Sequence, residues 1–171
     1  IDDAISKSEA FDILEIKKKS LTRSQEKIIK HGFPCYTTAA GWLGYSDKKM
    51  TKLIKNALQK GWTHFKIKVG QDIDRDIKRL ELVRNLIGPE NVLMIDANQV
   101  WEVDEAIDWI NKLSFSKPLF IEEPTSPDDI IGHKTIRDNI KPIKVASGEM
   151  CQNRIMFKQF ISEKAIDIVQ I

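Results

Sequence analysis

Cysteine is scarce in this chain of 171 residues: Cys35 and Cys151 are its only two, far apart and without a partner motif. That excludes a disulfide scaffold and predicts reduced thiols in an intracellular protein, cytoplasmic or mitochondrial. Long apolar runs are missing as well. None approaches the roughly 18 to 20 residues of a membrane span, and no signal-peptide pattern opens the chain. Basic clusters are limited to Lys17–Lys19, with the other lysines scattered, so neither a membrane nor a nucleic acid is expected as a partner. No GxGxxG or P-loop follows the first strand-like segment, which removes the usual nucleotide-phosphate cradles. Internal duplication and low-complexity tracts are absent too.

What is present is the composition of a globular domain able to bury a real core: 42% hydrophobic, 30% charged and a net charge of +2. The chain starts at Ile1 without a Met and stops inside the apolar run AIDIVQI, so it reads as part of a longer protein. Residues 1–32 are charged and helical, the tail of another domain or a lead-in. Strand-like segments then stand at Cys35–Ala40, His64–Val69, Asn91–Ile95, Pro118–Glu122, Ile143–Ser147 and Asp167–Ile171. Between them lie helical patterns at Asp47–Lys60, Asp72–Ile87, Val103–Leu113, Asp128–Asn139 and Asn153–Glu163. This alternation predicts parallel strands with helical crossovers, in a doubly wound sheet or a (β/α)8 barrel.

The polar residues favour the barrel. Lys68, Asp96, Glu122 and Glu149 each fall at or just past the end of successive strands, at intervals of 28, 26 and 27 residues. In a barrel they converge on the catalytic face, whereas in an open sheet they spread along an edge. Lys66 and Lys68 in WTHFKIKVG share one strand face, so two cations point the same way and call for an anionic partner if that way is inward. Three carboxylates on adjacent strands suit a hard divalent cation such as Mg²⁺, and are then expected within about 5 Å of one another. A single acid at such a position reads first as a helix cap; three in succession beside a lysine pair read as a site. Side-chain alternation agrees, grouping Met94, Asp96 and Asn98, then Phe120 and Glu122, then Val145, Ser147 and Glu149, with Glu123 on the opposite parity as a supporting residue.

The combination KIK at 66–68, IDAN at 95–98, IEEP at 121–124 and SGE at 147–149 resembles the enolase superfamily, mandelate-racemase subgroup. Through YTTAAGWLGYSD at 36–47, DANQVW at 96–101 and IEEPTSPDDIIGH at 121–133 it is most similar to the L-fuconate dehydratases of that subgroup. The resemblance runs over residues 33–171 and implies a truncated enolase-type barrel domain, about six of eight strands, with residues 1–32 as the end of an N-terminal capping domain. It further implies Asp96, Glu122 and Glu149 as Mg²⁺ ligands, with Glu149 also at the substrate. Lys68 is implied as the acid/base at the substrate α-carbon. Lys66 and Asn98 are implied as substrate contacts, Lys66 also helping to hold Lys68 deprotonated. The implied substrate is a small acid sugar, L-fuconate-like, which loses its α-proton and then its 3-hydroxyl to give a 2-keto-3-deoxy acid. The carbanion next to a carboxylate needs strong electrostatic stabilisation, and enolase-superfamily sites meet that need with a Lys or His base and Mg²⁺.

The family's opposing His and Asp acid/base from later strands has no counterpart here. His64 and His133 are expected on the surface or in loops, and the chain alone is expected to be inactive, poorly stable and prone to self-association. A homo-oligomer is compatible with the resemblance. Other readings stay open: a racemase, epimerase or cycloisomerase of the same superfamily, a non-catalytic truncated product, or a Schiff-base aldolase using Lys68. Trp62, Trp101 and Trp109 read as packing residues, Trp101 alone being near the site. SPDD at 126–129 reads as a helix start, and DIDRDIKRLELVRN as a solvated helix face.

Overall fold

The computed structural model describes residues 5–32 and 35–171, without the side chains of residues 19–24. They fall into two compact units that divide between Cys35 and Tyr36. The first holds one helix, α1 (Lys7–His31), opened by a capping box in which Ser6 and Glu9 exchange hydrogen bonds.

The second unit alternates strand and helix. Its strands are β1 (His64–Lys68), β2 (Val92–Asp96), β3 (Phe120–Glu122), β4 (Lys144–Ser147) and β5 (Ile168–Val169). Its helices are α2 (Asp47–Gln59), α3 (Ile73–Ile87), α4 (Val103–Leu113), α5 (Ile130–Asn139) and α6 (Arg154–Ser162). Four of these helices start where the sequence offers a capping oxygen. Ser46, Asp72, Asp129 and Asn153 each accept from a backbone N–H of the first turn. SPDD therefore begins α5 through Asp129, and the acids at the ends of β2 and β3 cap no helix.

All neighbouring strands pair in parallel, in the order β1-β2-β3-β4-β5. A doubly wound sheet reverses its strand order at a switch point, whereas a barrel adds each strand beside the last. The unbroken order therefore makes this a parallel β/α sheet of the barrel kind. The sheet has five strands among the described residues, not six. The segment expected as the first strand meets β1 through a single bridge between Thr37 and Phe65, because it lies along β1 only from Thr37 to Gly41. Close approach there requires glycine: a Cβ on Gly41 would stand 2.4 Å from the Lys66 carbonyl oxygen.

The two faces of the sheet differ. Phe65, Ile67, Leu93, Ile95, Ile121 and Val145 pack with helix residues such as Ile54, Leu80, Val83, Ile110 and Phe160 in one large core. The opposite face carries a small apolar patch of Met94, Phe120 and Ala146, with Val92 and Ile168 at its margin. The helices of this unit pack on the first face, and the lysines and acids stand on the second beside the small apolar patch. Among the described residues no helix is long and apolar enough to cross a membrane.

Candidate active site

Register aligns the site. Lys68 pairs with Asp96, Asp96 with Glu122, and Glu122 with Ala146, so the final residues of β1, β2 and β3 form a row on the face away from the helices. Lys66 stands one pleat below Lys68 on that face. The Lys68 ammonium donates to Asp96 Oδ2 at 2.6 Å, and Lys66 Nζ lies 3.2 Å from the same oxygen. Lys66 also donates to Glu122 Oε2 and, at 3.3 Å, to the Tyr36 hydroxyl. Lys66, Asp96 and Glu122 are buried, while Lys68 keeps partial access to solvent.

Burial works against the charge on Lys66, yet Glu122 and Asp96 together outweigh it and hold its pKa above the ordinary lysine value. Lys66 is therefore a fixed cation at the floor of the site. Burial pushes the Glu122 carboxyl up despite Lys66, and pushes Glu123 up despite a 2.9 Å hydrogen bond from Gln99. Glu123 has φ 44°, Asn98 φ 49° and Gln99 φ 67°, so three residues just past the ends of β2 and β3 hold left-handed backbone. Strain of this kind persists where the surroundings over-determine it, and it gathers at functional sites.

Not every expected residue joins the group. Glu149 is exposed on the turn after β4, and its negative charge is felt by Glu123. Among the described residues, no three His, Cys, Asp or Glu side chains are arranged to hold a metal ion. The expected alternation along β4 fails as well. Ala146 takes the site face and Val145 packs with the helices, which puts Ser147 on Val145's side; Gly148, at φ 145°, then redirects the chain before Glu149. Asn98 is exposed, with its backbone N–H donating to Asp96 Oδ1 at 3.0 Å.

Two observations bear on a divalent cation. Glu122 Oε1 and Glu123 Oε2 are buried carboxylate oxygens without a hydrogen-bond partner. Asp96 and Glu122 also both contact Lys66 Nζ, so their carboxylates converge on one point. The hard oxygen donors fit Mg²⁺, with Asp96 and Glu122 as the pair that could hold it.

The histidines stand elsewhere. His64 opens β1 at the far end of the strand, and His133 is fully buried on α5, not at the surface, because its ring packs edge-on against Phe160 at 5.1 Å. Trp101 is buried against Trp109, as expected of packing residues. Sequence reasoning assigned no role to Tyr36, Trp42 or Gln99, and it placed Arg79 on a solvated helix face, whereas α3 buries both Asp76 and Arg79 because the guanidinium reaches backbone carbonyls of the neighbouring loop. Tyr36 and Trp42 lie in the YTTAAGWLGYSD stretch that carried part of the resemblance, and that stretch was the available signal.

Residues 49–171 match the family model described as Enolase C-terminal domain-like. The L-galactonate dehydratase of Hypocrea jecorina is 54% identical over 176 aligned residues, which take in 100% of this chain and 39% of that protein. The crystal structure of human mitochondrial enolase superfamily member 1 superposes with a TM-score of 0.96 at 46% identity, covering 100% of this chain and 39% of its own. That of L-talarate/galactarate dehydratase from Salmonella typhimurium LT2, liganded with Mg and L-lyxarohydroxamate, gives 0.76 at 35% identity, covering 80% and 35%. The chain spans 39% of the length of the relatives that match it throughout. With the model matched over most of its residues, this chain belongs to the enolase C-terminal domain-like family.

Proposed function

We propose that this chain supplies part of the catalytic barrel of a Mg²⁺-dependent acid-sugar dehydratase. The observation that carries the reading is the convergence of Lys66, Lys68, Asp96 and Glu122 at the strand ends, on the sheet face opposite the helix-packed core. The dehydratase names of relatives at 54% and 35% identity support the same chemistry.

Each residue has a task that its surroundings suit. Lys68, partly open to solvent, takes the proton from the carbon next to the substrate carboxylate. Lys66, a buried and permanent cation, attracts that carboxylate and fixes its orientation. Asp96 and Glu122 would hold Mg²⁺, which supplies stabilisation of negative charge on the substrate when bound. Asn98 and Glu149, exposed on the loops beyond the row, would meet the sugar hydroxyls. Departure of the 3-hydroxyl then gives a 2-keto-3-deoxy acid, with the later strands expected to supply the opposing acid.

The substrate is an acid sugar of the L-fuconate and L-galactonate type. L-Fuconate is L-galactonate without its 6-hydroxyl, so the reacting C2 and C3 are the same in both. The test incubates the full-length protein with each acid and Mg²⁺ and follows the 2-keto product as its semicarbazone. Product from either acid, lost with EDTA and restored by Mg²⁺, is the expected result. Inversion at C2 without loss of water would instead assign an epimerase.

A further inference from the structure

Arg79 is a buried cation that the reading above leaves unused. It lies on α3 and is 1% exposed. An apolar side chain of similar volume would fill that space without burying a guanidinium, so packing alone does not explain it. Its Nη1 and Nη2 donors go to backbone oxygens, while Nε has no partner. Nη1 donates to the Leu43 carbonyl at 3.1 Å, while Nη2 lies 3.0 Å from that of Gly41, 3.2 Å from that of Trp42 and 3.4 Å from that of Lys68. Asp76, one turn earlier on α3, lends Arg79 counter-charge and accepts from the Gly70 backbone N–H at 2.7 Å. The helix thus grips both backbone segments beside Lys68, the Gly41–Leu43 loop and the exit of β1. A planar fork of fixed donors can hold several carbonyls at once, which a lysine cannot do.

The gripped loop carries one large side chain into the open. The Trp42 indole is 55% exposed, and the Lys68 ammonium lies 6.0 Å from its ring centroid. At the other end of the same segment, the Tyr36 ring centroid stands 4.9 Å from the Lys66 ammonium. An aromatic face held beside the one accessible ammonium of a site for polyhydroxy acids matches the flat C–H face that such chains present, and small-molecule sites commonly combine apolar walls with a few charged groups.

We propose that Trp42 contacts the substrate, its indole covering the C–H face of the sugar acid beside Lys68, and that Arg79 is the positioning residue that holds it there through the carbonyls of Gly41–Leu43. This rests on the acid-sugar reading, and the test separates the two. In the full-length protein labelled with 5-fluorotryptophan, Trp42→Phe identifies the Trp42 fluorine resonance. Arg79→Lys should shift or broaden that resonance and leave those of Trp62, Trp101 and Trp109 in place; an unmoved Trp42 signal overturns the role of Arg79 whatever the activity.

Kinetics then test the contact. Trp42→Ala, at an exposed position that leaves α3 alone, should raise KM for L-galactonate or L-fuconate about 10-fold with little change in kcat. Arg79→Lys should also raise KM, and adding it to Trp42→Ala should have no further effect, because both act through the same indole. Effects on KM that multiply, or an unchanged KM in Trp42→Ala, overturn the proposal. Turnover of neither acid by the unsubstituted protein overturns the functional reading and the sugar contact with it, while the fluorine spectrum still decides the part of Arg79.

Discussion

Lys66 stays charged where burial opposes it because Glu122 and Asp96 both accept from it, and that pairing fixes a cation at the floor of the site. His133 is the opposite case, a titratable group buried without such help. Its Nδ1 meets the Asp129 carbonyl at 2.8 Å, its Nε2 has no partner, and burial pushes its pKa below the ordinary histidine value. The folded state therefore prefers the neutral ring, whereas the unfolded chain takes up a proton near pH 6.5. The sign follows: this contribution to stability is complete above about pH 6.5 and is lost as the pH falls from there towards the folded-state pKa. Melting temperature should accordingly drop more steeply between pH 6.5 and 5 in the unsubstituted protein than in His133→Leu. Parallel pH profiles for the two would contradict this account.

Among the elements, the segment along β1 depends on one small residue. Gly41 lets residues 37–41 lie against the strand, where its own carbonyl accepts from the Lys68 N–H at 2.9 Å and Thr37 is bonded to both His64 and Lys66. Gly41→Ala would place a Cβ 2.4 Å from the Lys66 carbonyl oxygen and 2.8 Å from the Ile67 Cα. Both neighbours are backbone, so the segment has to lift, at a cost of about 1–3 kcal/mol measurable as a shift of the urea midpoint. The elements themselves were legible in the sequence: α4 occupies Val103–Leu113 as its periodicity predicts, and α2 and α3 begin or end within a residue of their caps. Side-chain alternation told the faces correctly for β1, β2 and β3, which are regular to their last residue. It misled on β4, because the face was counted back from Glu149 across Gly148, whose φ of 145° breaks the period of two. The roles of Arg79 and Trp42 were hidden for another reason: their contacts join residues up to 38 positions apart through backbone oxygens, which leave no pattern of residue types.

For the molecule as a whole, the order β1-β2-β3-β4-β5 matters most, since it brings the polar residues that end β1, β2 and β3 to a single end and a single face of the sheet. Lys68, Asp96 and Glu122 lie in one register row, with Lys66 beneath them and the helices behind. The barrel was legible from the spacing of the polar strand ends together with the family motifs, whereas the exposure of Glu149 depends on how one turn leaves β4 and was not. If this row is catalytic, the proton on the carbon beside the substrate carboxylate should pass to Lys68 and exchange with solvent. The most direct measurement gives the full-length protein L-galactonate carrying deuterium at C2 and follows release of that deuterium into water, in the unsubstituted enzyme and in Lys68→Ala. The account predicts release in the first and a loss of about 10²- to 10⁴-fold in the second, the range for removing a general base, with Mg²⁺ still bound. Release at a near-normal rate from Lys68→Ala would contradict it and leave KIK as the end of an ordinary strand.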